Sequence, residues 1–256
     1  DSCYPSITVV GQFMEAVNSG RYDTNKLAIV MTQTGGACRA SNYVGYIRKG
    51  LRDAGYPNIP VIALSAQGIE TNAGFDLKKP STIPFLKRGF RAIIFGDLIN
   101  RVANATRPYE VEKGATDSLK EAWIERLQAE APTMSDREYK KCVKEIVDNF
   151  DNIPVKDTKL PKAGIVGEIL VKFLPEANNN LQKVLEAEGA EVILPDLTDF
   201  FMYCMKNSEL KADLYGKSKM SARFGRLGIN IVEQYRKPVR KALRASKRFN
   251  EPEYID

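Results

Sequence analysis

Short apolar runs alternate with a longer amphipathic segment in the first third of the chain. Residues 27–33 and 60–65 form apolar runs that predict two buried strands. Between them, the amphipathic segment 43–54 predicts a helix that ends at Gly55. A strand, a helix and a strand in this order form a βαβ unit, in which the strands pair in parallel through a right-handed crossover.

The same order of strand, helix and strand is predicted again later in the chain. Residues 163–168 and 191–195 predict two further strands, and residues 178–188 between them predict a helix that stops at Gly189. We therefore predict an α/β fold with a second parallel sheet. Asn178, Asn179 and Asn180 are expected to cap the helix rather than to bind a ligand.

Helical periodicity predicts most of the remaining elements. The capping-box pair Ser135 and Glu138 marks the start of one of these helices. We divide the chain into a first α/β domain over 1–110, a helical insertion and linker over 111–160, and a second α/β domain with C-terminal helices over 161–256. The additional helices are predicted at 4–19, 84–105, 116–130, 135–149, 209–224 and 228–248.

Composition indicates a globular protein with a sizeable core. The 256 residues are 43% hydrophobic, and no apolar run has the length of a transmembrane helix. Because the chain begins at Asp1 with Cys3 close behind, we expect a piece of a longer protein. Four irregularly spaced cysteines without a CxxC pair do not suit a secreted disulfide scaffold. A cytoplasmic location without a membrane partner is expected.

The formal net charge of +6 comes largely from a basic C-terminal segment. A basic helix can bind nucleic acid or an acidic partner. A solvated face, or a cover for an acidic neighbour, is the commoner meaning of such a charge run, and we favour it over nucleic-acid binding. The crowded basic residues are Arg223, Arg226, Arg236, Lys237, Arg240, Lys241, Arg244, Lys247 and Arg248.

The chain contains no histidine. This excludes Ser-His-Asp and Cys-His catalysis, histidine-bound zinc and imidazole proton transfer within the chain. Acid–base chemistry would have to use Asp, Glu, Lys, Tyr or Cys. Glu168, beside Gly167 at the end of a predicted strand, is a weak catalytic candidate, with a structural carboxylate as the alternative.

Three cysteines fall near predicted helix starts or strand ends. Cys38 follows the glycine pair Gly35 and Gly36, where backbone N–H groups and a helix dipole favour a thiolate. Cys3 and Cys204 have similar predicted placements. The alternative for Cys38 is a tight turn with a small buried cysteine. Cys142 lies mid-helix among lysines and is interpreted as structural or incidental.

Three convergent thiolates without histidine suit an iron–sulfur cluster better than zinc. Cysteines are also common core residues, so composition leaves both meanings open. Arg39, next to Cys38, could lower a thiolate pKa or hold an anion, and a salt bridge is the alternative. Gly35, Gly36 and Arg39 are therefore candidate cofactor-binding residues.

Several short sequence motifs in the first 208 residues resemble those of the 2-hydroxyacyl-CoA dehydratase superfamily. They are most similar to the dehydratase-like portion of the long activase-related proteins, which follows an ATPase domain. The stretch Gly35-Gly36-Ala37-Cys38-Arg39-Ala40-Ser41-Asn42-Tyr43 is the most specific. Supporting phrases are Cys3-Tyr4-Pro5, Arg107-Pro108-Tyr109-Glu110, Gly164-Ile165-Val166-Gly167-Glu168-Ile169-Leu170, Asn178-Asn179-Asn180 and Asp199-Phe200-Phe201-Met202-Tyr203-Cys204.

The resemblance implies two flavodoxin-like parallel-sheet domains that hold a 4Fe–4S cluster between them. It assigns the cluster ligands to Cys3, Cys38 and Cys204. The implied function is single-electron transfer or catalysis in the dehydratase and activase system. The implied partners are the ATPase activator domain of the same longer protein, a dehydratase subunit and a CoA thioester. No phosphate-binding loop is present in the sequence. A non-catalytic scaffold that docks the ATPase activator onto its dehydratase partner is the alternative function.

Overall fold

The computed structural model describes residues 3–33, 38–65, 70, 83–216 and 219–255, and the chain forms two units. The first unit contains Asp1–Pro84 and Ile169–Ala177, and the second contains Phe85–Glu168 and Asn178–Asp256. This division differs from the three segments predicted from the sequence. The described residues form a mixed α/β fold with two parallel two-stranded sheets.

The first unit contains the predicted βαβ arrangement. Strands β1 (Ile29–Gln33) and β2 (Val61–Ser65) pair in parallel, with Ile29 opposite Val61. Helix α2 (Tyr43–Asp53) connects them, and helix α1 (Tyr4–Asn18) precedes the sheet. The prediction of parallel pairing in this unit is confirmed.

Apolar side chains from the helices and the sheet form the core of the first unit. Val44, Ile47 and Leu51 of α2 lie at most 2% exposed. A short helix, which we number α6 (Ile169–Phe173), packs Leu170 against this core. The Tyr4 hydroxyl donates a hydrogen bond to the Ala177 carbonyl at 3.0 Å. The first unit therefore combines two segments that lie far apart in the sequence, Asp1–Pro84 and Ile169–Ala177.

Two shorter strands form the sheet of the second unit. Strands β3 (Lys162–Gly164) and β4 (Glu191–Ile193) pair in parallel, as predicted, and helix α7 (Leu181–Ala187) lies between them in sequence. The predicted extent of β3, 163–168, is wrong because the strand ends at Gly164. Gly167 has φ +141°, a conformation that favours glycine and turns the chain away from the strand.

The asparagine prediction is confirmed for one of the three residues. The Asn178 side chain accepts a hydrogen bond from the Leu181 backbone N–H at 3.1 Å, and so caps the start of α7. Asn179 and Asn180 adopt left-handed conformations, with φ 56° and 55°. Asparagine tolerates this region better than most residues, so the pair allows the tight turn into the helix.

Four helices supply the main core of the second unit: α3 (Ile83–Thr106), α4 (Ala115–Glu130), α5 (Asp136–Asp151) and α9 (Lys219–Ala245). The capping box of α5 is confirmed, with Ser135 N–H donating to Glu138 at 2.8 Å and Glu138 N–H donating to the Ser135 hydroxyl at 3.3 Å. The helices predicted as an insertion thus belong to the core that α9 completes.

The C-terminal helices have different bounds from the predicted 209–224 and 228–248. Helix α8 (Leu197–Tyr215) ends at Gly216, which has φ +62°, and α9 then runs unbroken through Gly228. A Cβ atom at Gly228 would lie 2.7 Å from the Met205 sulfur. This glycine therefore serves close helix packing rather than a helix boundary.

Candidate functional site

Cys3 lies immediately before α1, as the sequence predicted. It is half-buried and has the extended backbone of an N-cap residue. Hydrogen bonds from the side chain and backbone of Ser6 lower the pKa of the Cys3 thiol, and the Tyr43 hydroxyl and the charge of Arg39 act in the same direction. This thiol is thus placed in surroundings that favour the thiolate, the form that binds iron and acts as a nucleophile.

Cys38 is exposed and begins the helical turn Arg39–Asn42, which leads directly into α2. Its sulfur accepts a hydrogen bond from the Ala40 backbone N–H at 3.5 Å. The predicted position at a helix start is confirmed. Gly35 and Gly36 lie outside the described residues, so their cofactor-binding role stays a prediction.

Arg39 connects the surroundings of the two early cysteines. It follows Cys38 in sequence, and its positive charge acts on the Cys3 thiol. Its Nη1 donates to the Tyr46 hydroxyl at 2.8 Å, and within the described ranges it forms no ion pair. The salt-bridge alternative has no support in these contacts, and the first unit supplies two accessible sulfur donors beside a cation.

Cys204 belongs to the second unit and is exposed on α8. The expectation that it lies at a helix start is wrong, because α8 begins at Leu197 with Asp196 as its N-cap. A backbone N–H this far inside a helix bonds to the carbonyl four residues earlier, so it cannot support the thiolate. Its predicted role as a ligand therefore rests on exposure and on the family resemblance.

Cys142 has the structural placement that was predicted. It lies within α5 and is 3% exposed in the core of the second unit. Burial raises the pKa of its thiol to about 11. A protonated, buried thiol of this kind is a poor metal ligand. Glu168 is exposed after Gly167, and its catalytic role stays a prediction.

Sequence reasoning missed a polar network at the carboxyl end of β1. Gln33 is 7% exposed, and its Nε2 donates to the Ser41 carbonyl at 3.0 Å. The same amide nitrogen lies 3.4 Å from Glu70, which forms an ion pair with Arg48 at 2.8 Å. The Oε1 atom of Gln33 is buried without a hydrogen-bond partner among the described residues. A polar residue that ends a buried strand is the signal that could have identified it.

The sequence also concealed a buried ionic cluster in the second unit. The solvated-face interpretation of the basic segment is wrong for Arg236 and Arg240, which are 2% and 3% exposed. Arg236 forms ion pairs with Asp196 at 3.2 Å and Asp199 at 2.9 Å. Arg240 forms an ion pair with Glu233 at 3.0 Å. The basic residues of α9 thus include core groups that neutralise carboxylates of the same unit.

Asp97 lies beside this ionic cluster and caps α8. Its carboxylate accepts hydrogen bonds from the backbone N–H groups of Leu197 and Thr198 at 2.8 and 2.9 Å. Burial, followed by the nearby charge of Asp196, raises the pKa of Asp97 to about 6. The carboxyl group therefore titrates close to neutral pH.

Comparison of the chain with protein-family models, with curated proteins and with solved structures finds no match. In the part of the chain that the structure describes, no group of three or more Cys, Asp or Glu side chains is placed to hold a metal ion. The described helices include none with the length and apolar character that crossing a membrane requires. The ligand role of the three cysteines stays a prediction.

Proposed function

We propose that the chain is an iron–sulfur module of the 2-hydroxyacyl-CoA dehydratase and activase system, in which Cys3, Cys38 and Cys204 hold a 4Fe–4S cluster. The observation that carries this proposal is the environment of Cys3, where Ser6 and Arg39 lower the thiol pKa. Thiolates are the protein ligands of such clusters. The donor set fits because the three sulfurs are half-buried or exposed, whereas that of Cys142 is buried.

The proposal includes two flavodoxin-like domains, one around each parallel strand pair. In the first, the Cys38 turn supplies a sulfur and an adjacent backbone N–H, and Arg39 supplies positive charge that stabilises an anionic group. When bound, the cluster supplies single-electron chemistry toward a CoA thioester or a partner protein. The ATPase activator domain and a dehydratase subunit are the proposed protein partners.

Single Cys→Ser variants test the cluster ligands. Each of the four cysteines is replaced in turn, and the chain is reconstituted anaerobically with iron and sulfide. We expect Cys3→Ser, Cys38→Ser and Cys204→Ser to lose iron and the visible absorption band, because each removes a thiolate ligand. Cys142→Ser is the control and should retain both. If Cys38→Ser binds as much iron as the parent chain, the proposal is wrong.

The scaffold alternative is favoured by an apolar stripe on the first half of α9. Met220, Phe224, Leu227 and Ile231 are 64%, 66%, 54% and 49% exposed. Their spacing of four, three and four residues places them along one side of the helix, a pattern typical of helices that pack against another helix. Exposed apolar surface of this kind marks interaction sites.

Binding to a separately produced ATPase activator domain tests the scaffold function. We expect Phe224→Asp to abolish this binding, because it places a charge in the apolar stripe. The exposed residue Asn230 lies off the stripe on the same helix, so Asn230→Asp serves as the matched control. Unchanged binding by Phe224→Asp would exclude the stripe as the docking surface, whatever the iron content of the chain.

A further inference from the structure

The second unit contains a cavity of about 640 Å³, lined by α3, β4 and the residues that follow α9. Small-molecule sites have volumes of roughly 300–1,000 Å³, so the cavity has a suitable size. It includes Ile193, Leu194 and Pro195, and so adjoins the carboxyl end of β4. Ligands of parallel α/β sheets bind outside this end of the strands. The lining residues include none of the proposed cluster ligands.

Two arginines of the cavity wall have unused hydrogen-bond donors. The Nε atom of Arg101 and the Nη1 atom of Arg248 are buried and have no partner in the described part of the chain. Buried donors are normally satisfied, so both positions call for an acceptor. The two side chains are still 24% and 22% exposed, and part of each arginine lines the cavity.

Both guanidinium groups are fixed through their other nitrogen atoms. Arg101 Nη2 lies 2.9 Å from the Asp196 carboxylate, and Arg248 Nε lies 3.4 Å from that of Asp151. Arg248 also donates to the Phe150 carbonyl. Preorganised guanidinium forks recognise phosphate and carboxylate groups through paired hydrogen bonds. Because these ion pairs already fix both arginine side chains, binding of an oxyanion would cost little further side-chain entropy.

Lys156 adds a third cationic group to the same wall. Its backbone N–H bonds to the Tyr109 carbonyl at 2.8 Å, which fixes its position, and its exposed ammonium has no ion-pair partner among the described residues. Of the lining carboxylates, Glu191 pairs with Lys162 at 3.3 Å and Asp199 with Arg236 at 2.9 Å. Much of the acidic charge of the wall is thus already neutralised.

One acceptor in the wall also lacks a donor. The Oε2 atom of Glu251 is buried without a hydrogen-bond partner among the described residues, and it lies 3.8 Å from Arg240. We infer that this cavity binds a small ligand that carries a phosphate or carboxylate group together with hydroxyl groups. Arg101, Arg248 and Lys156 receive the oxyanion, and Glu251 accepts a hydrogen bond from a hydroxyl group.

Calorimetric titration of the whole chain tests this site with three probes: inorganic phosphate, glycerol 3-phosphate and malate. Glycerol 3-phosphate and malate separate a phosphate from a carboxylate preference, since both carry hydroxyl groups. At least one of these two should bind more tightly than inorganic phosphate, which lacks the carbon-borne hydroxyl groups. We expect Lys156→Gln to weaken binding about fivefold, the effect of one exposed charge contact. Arg248→Lys should weaken it about tenfold through loss of the planar fork.

Lys159→Gln is the matched control, because Lys159 is an exposed lysine of the same loop that does not line the cavity. It should leave binding unchanged. Equal weakening by Lys156→Gln and Lys159→Gln would show general charge attraction and overturn the inference. It is also overturned if neither glycerol 3-phosphate nor malate binds at about 10 mM, a concentration that detects even very weak sites. Circular dichroism checks the folding of Arg248→Lys, and the exposed Lys156 position keeps the test decisive if that variant is unstable.

Discussion

The two units of the chain bury different kinds of side chain. Among the described residues of the first unit, the buried polar residues are Ser6 and Gln33, and neither carries a charge. The second unit buries five charged residues within its described part. These are Arg91, Glu110, Asp196, Arg236 and Arg240. The first core is therefore held mainly by apolar contacts, and the second combines them with charge pairing.

This difference has consequences for stability. Apolar burial contributes about 25 cal/mol per Å² and depends little on pH. A buried charge is tolerated only while its partner is present, and the loss of one partner is more costly than the pair itself is worth. Substitutions in the two cores should therefore change the unfolding free energy by different amounts, with different pH dependence and in different units.

The largest effect is expected for Arg236→Ala. The change leaves Asp196 and Asp199 without their shared cation, and we expect the unfolding free energy of the second unit to fall by about 3–5 kcal/mol. Trp123 is the only tryptophan and lies buried in this unit, so its fluorescence reports the transition in denaturant. The exposed neighbour change Lys237→Ala should have almost no effect. A loss below about 1 kcal/mol for Arg236→Ala would show that the pairs contribute little.

A smaller effect, confined to the first unit, is expected for Ile47→Ala. Ile47 is 1% exposed in α2, and its truncation leaves a cavity that costs about 3 kcal/mol. Amide hydrogen exchange of β1 should become faster, while the Trp123 transition and its pH dependence stay unchanged. Arg52→Ala, on the exposed side of the same helix, is the control. If Ile47→Ala destabilises the Trp123 transition by the same amount, the two units unfold together, and the expected difference between them is contradicted.

The smallest effect is a pH dependence that comes from Asp97. The pKa of this carboxyl is about 6 in the folded chain and 3.8 ordinarily, so the folded state binds the proton more tightly. The resulting stability is present below pH 3.8 and is lost as the pH rises through 6. Relative to Asp97→Asn, the parent chain should lose about 2–3 kcal/mol across this window. Urea unfolding followed by Trp123 fluorescence at pH 4, 5, 6 and 7 checks this prediction. A constant difference between the two proteins would contradict it.

Local signals in the sequence correctly predicted both parallel strand pairs and the capping box of α5. These features depend on neighbouring residues, so periodicity and capping rules suffice for them. The predicted bounds of the C-terminal helices were wrong, because the interruption predicted between 224 and 228 lies inside α9, which runs unbroken through Gly228. Its actual use, close packing beneath Met205, depends on a residue of another helix and is not visible locally.

The candidate site shows the same limit. The position of Cys38 at a helix start was predicted from the glycine pair that precedes it in the sequence, and the structure confirms this position. The predicted placement of Cys204 near a helix start was wrong because apolar residues occur both in β4 and in the first turns of α8, so the hydrophobic pattern does not mark where α8 begins. The burial of Arg236 depends on carboxylates contributed by α8, and a linear charge count cannot distinguish it from the exposed Lys237.

The hydrogen bond from Tyr4 to Ala177 has a consequence for the order of synthesis. Because the first unit includes Ile169–Ala177, a nascent chain that has been translated only as far as residue 84 contains an incomplete unit. After residue 84, about 85 further residues must be translated before α6 can pack Leu170 against the core of the first unit. During that interval its apolar surface is open to chaperones and to other nascent chains. The discontinuous chain path thus makes completion of the first unit depend on residues that are translated well after its sheet.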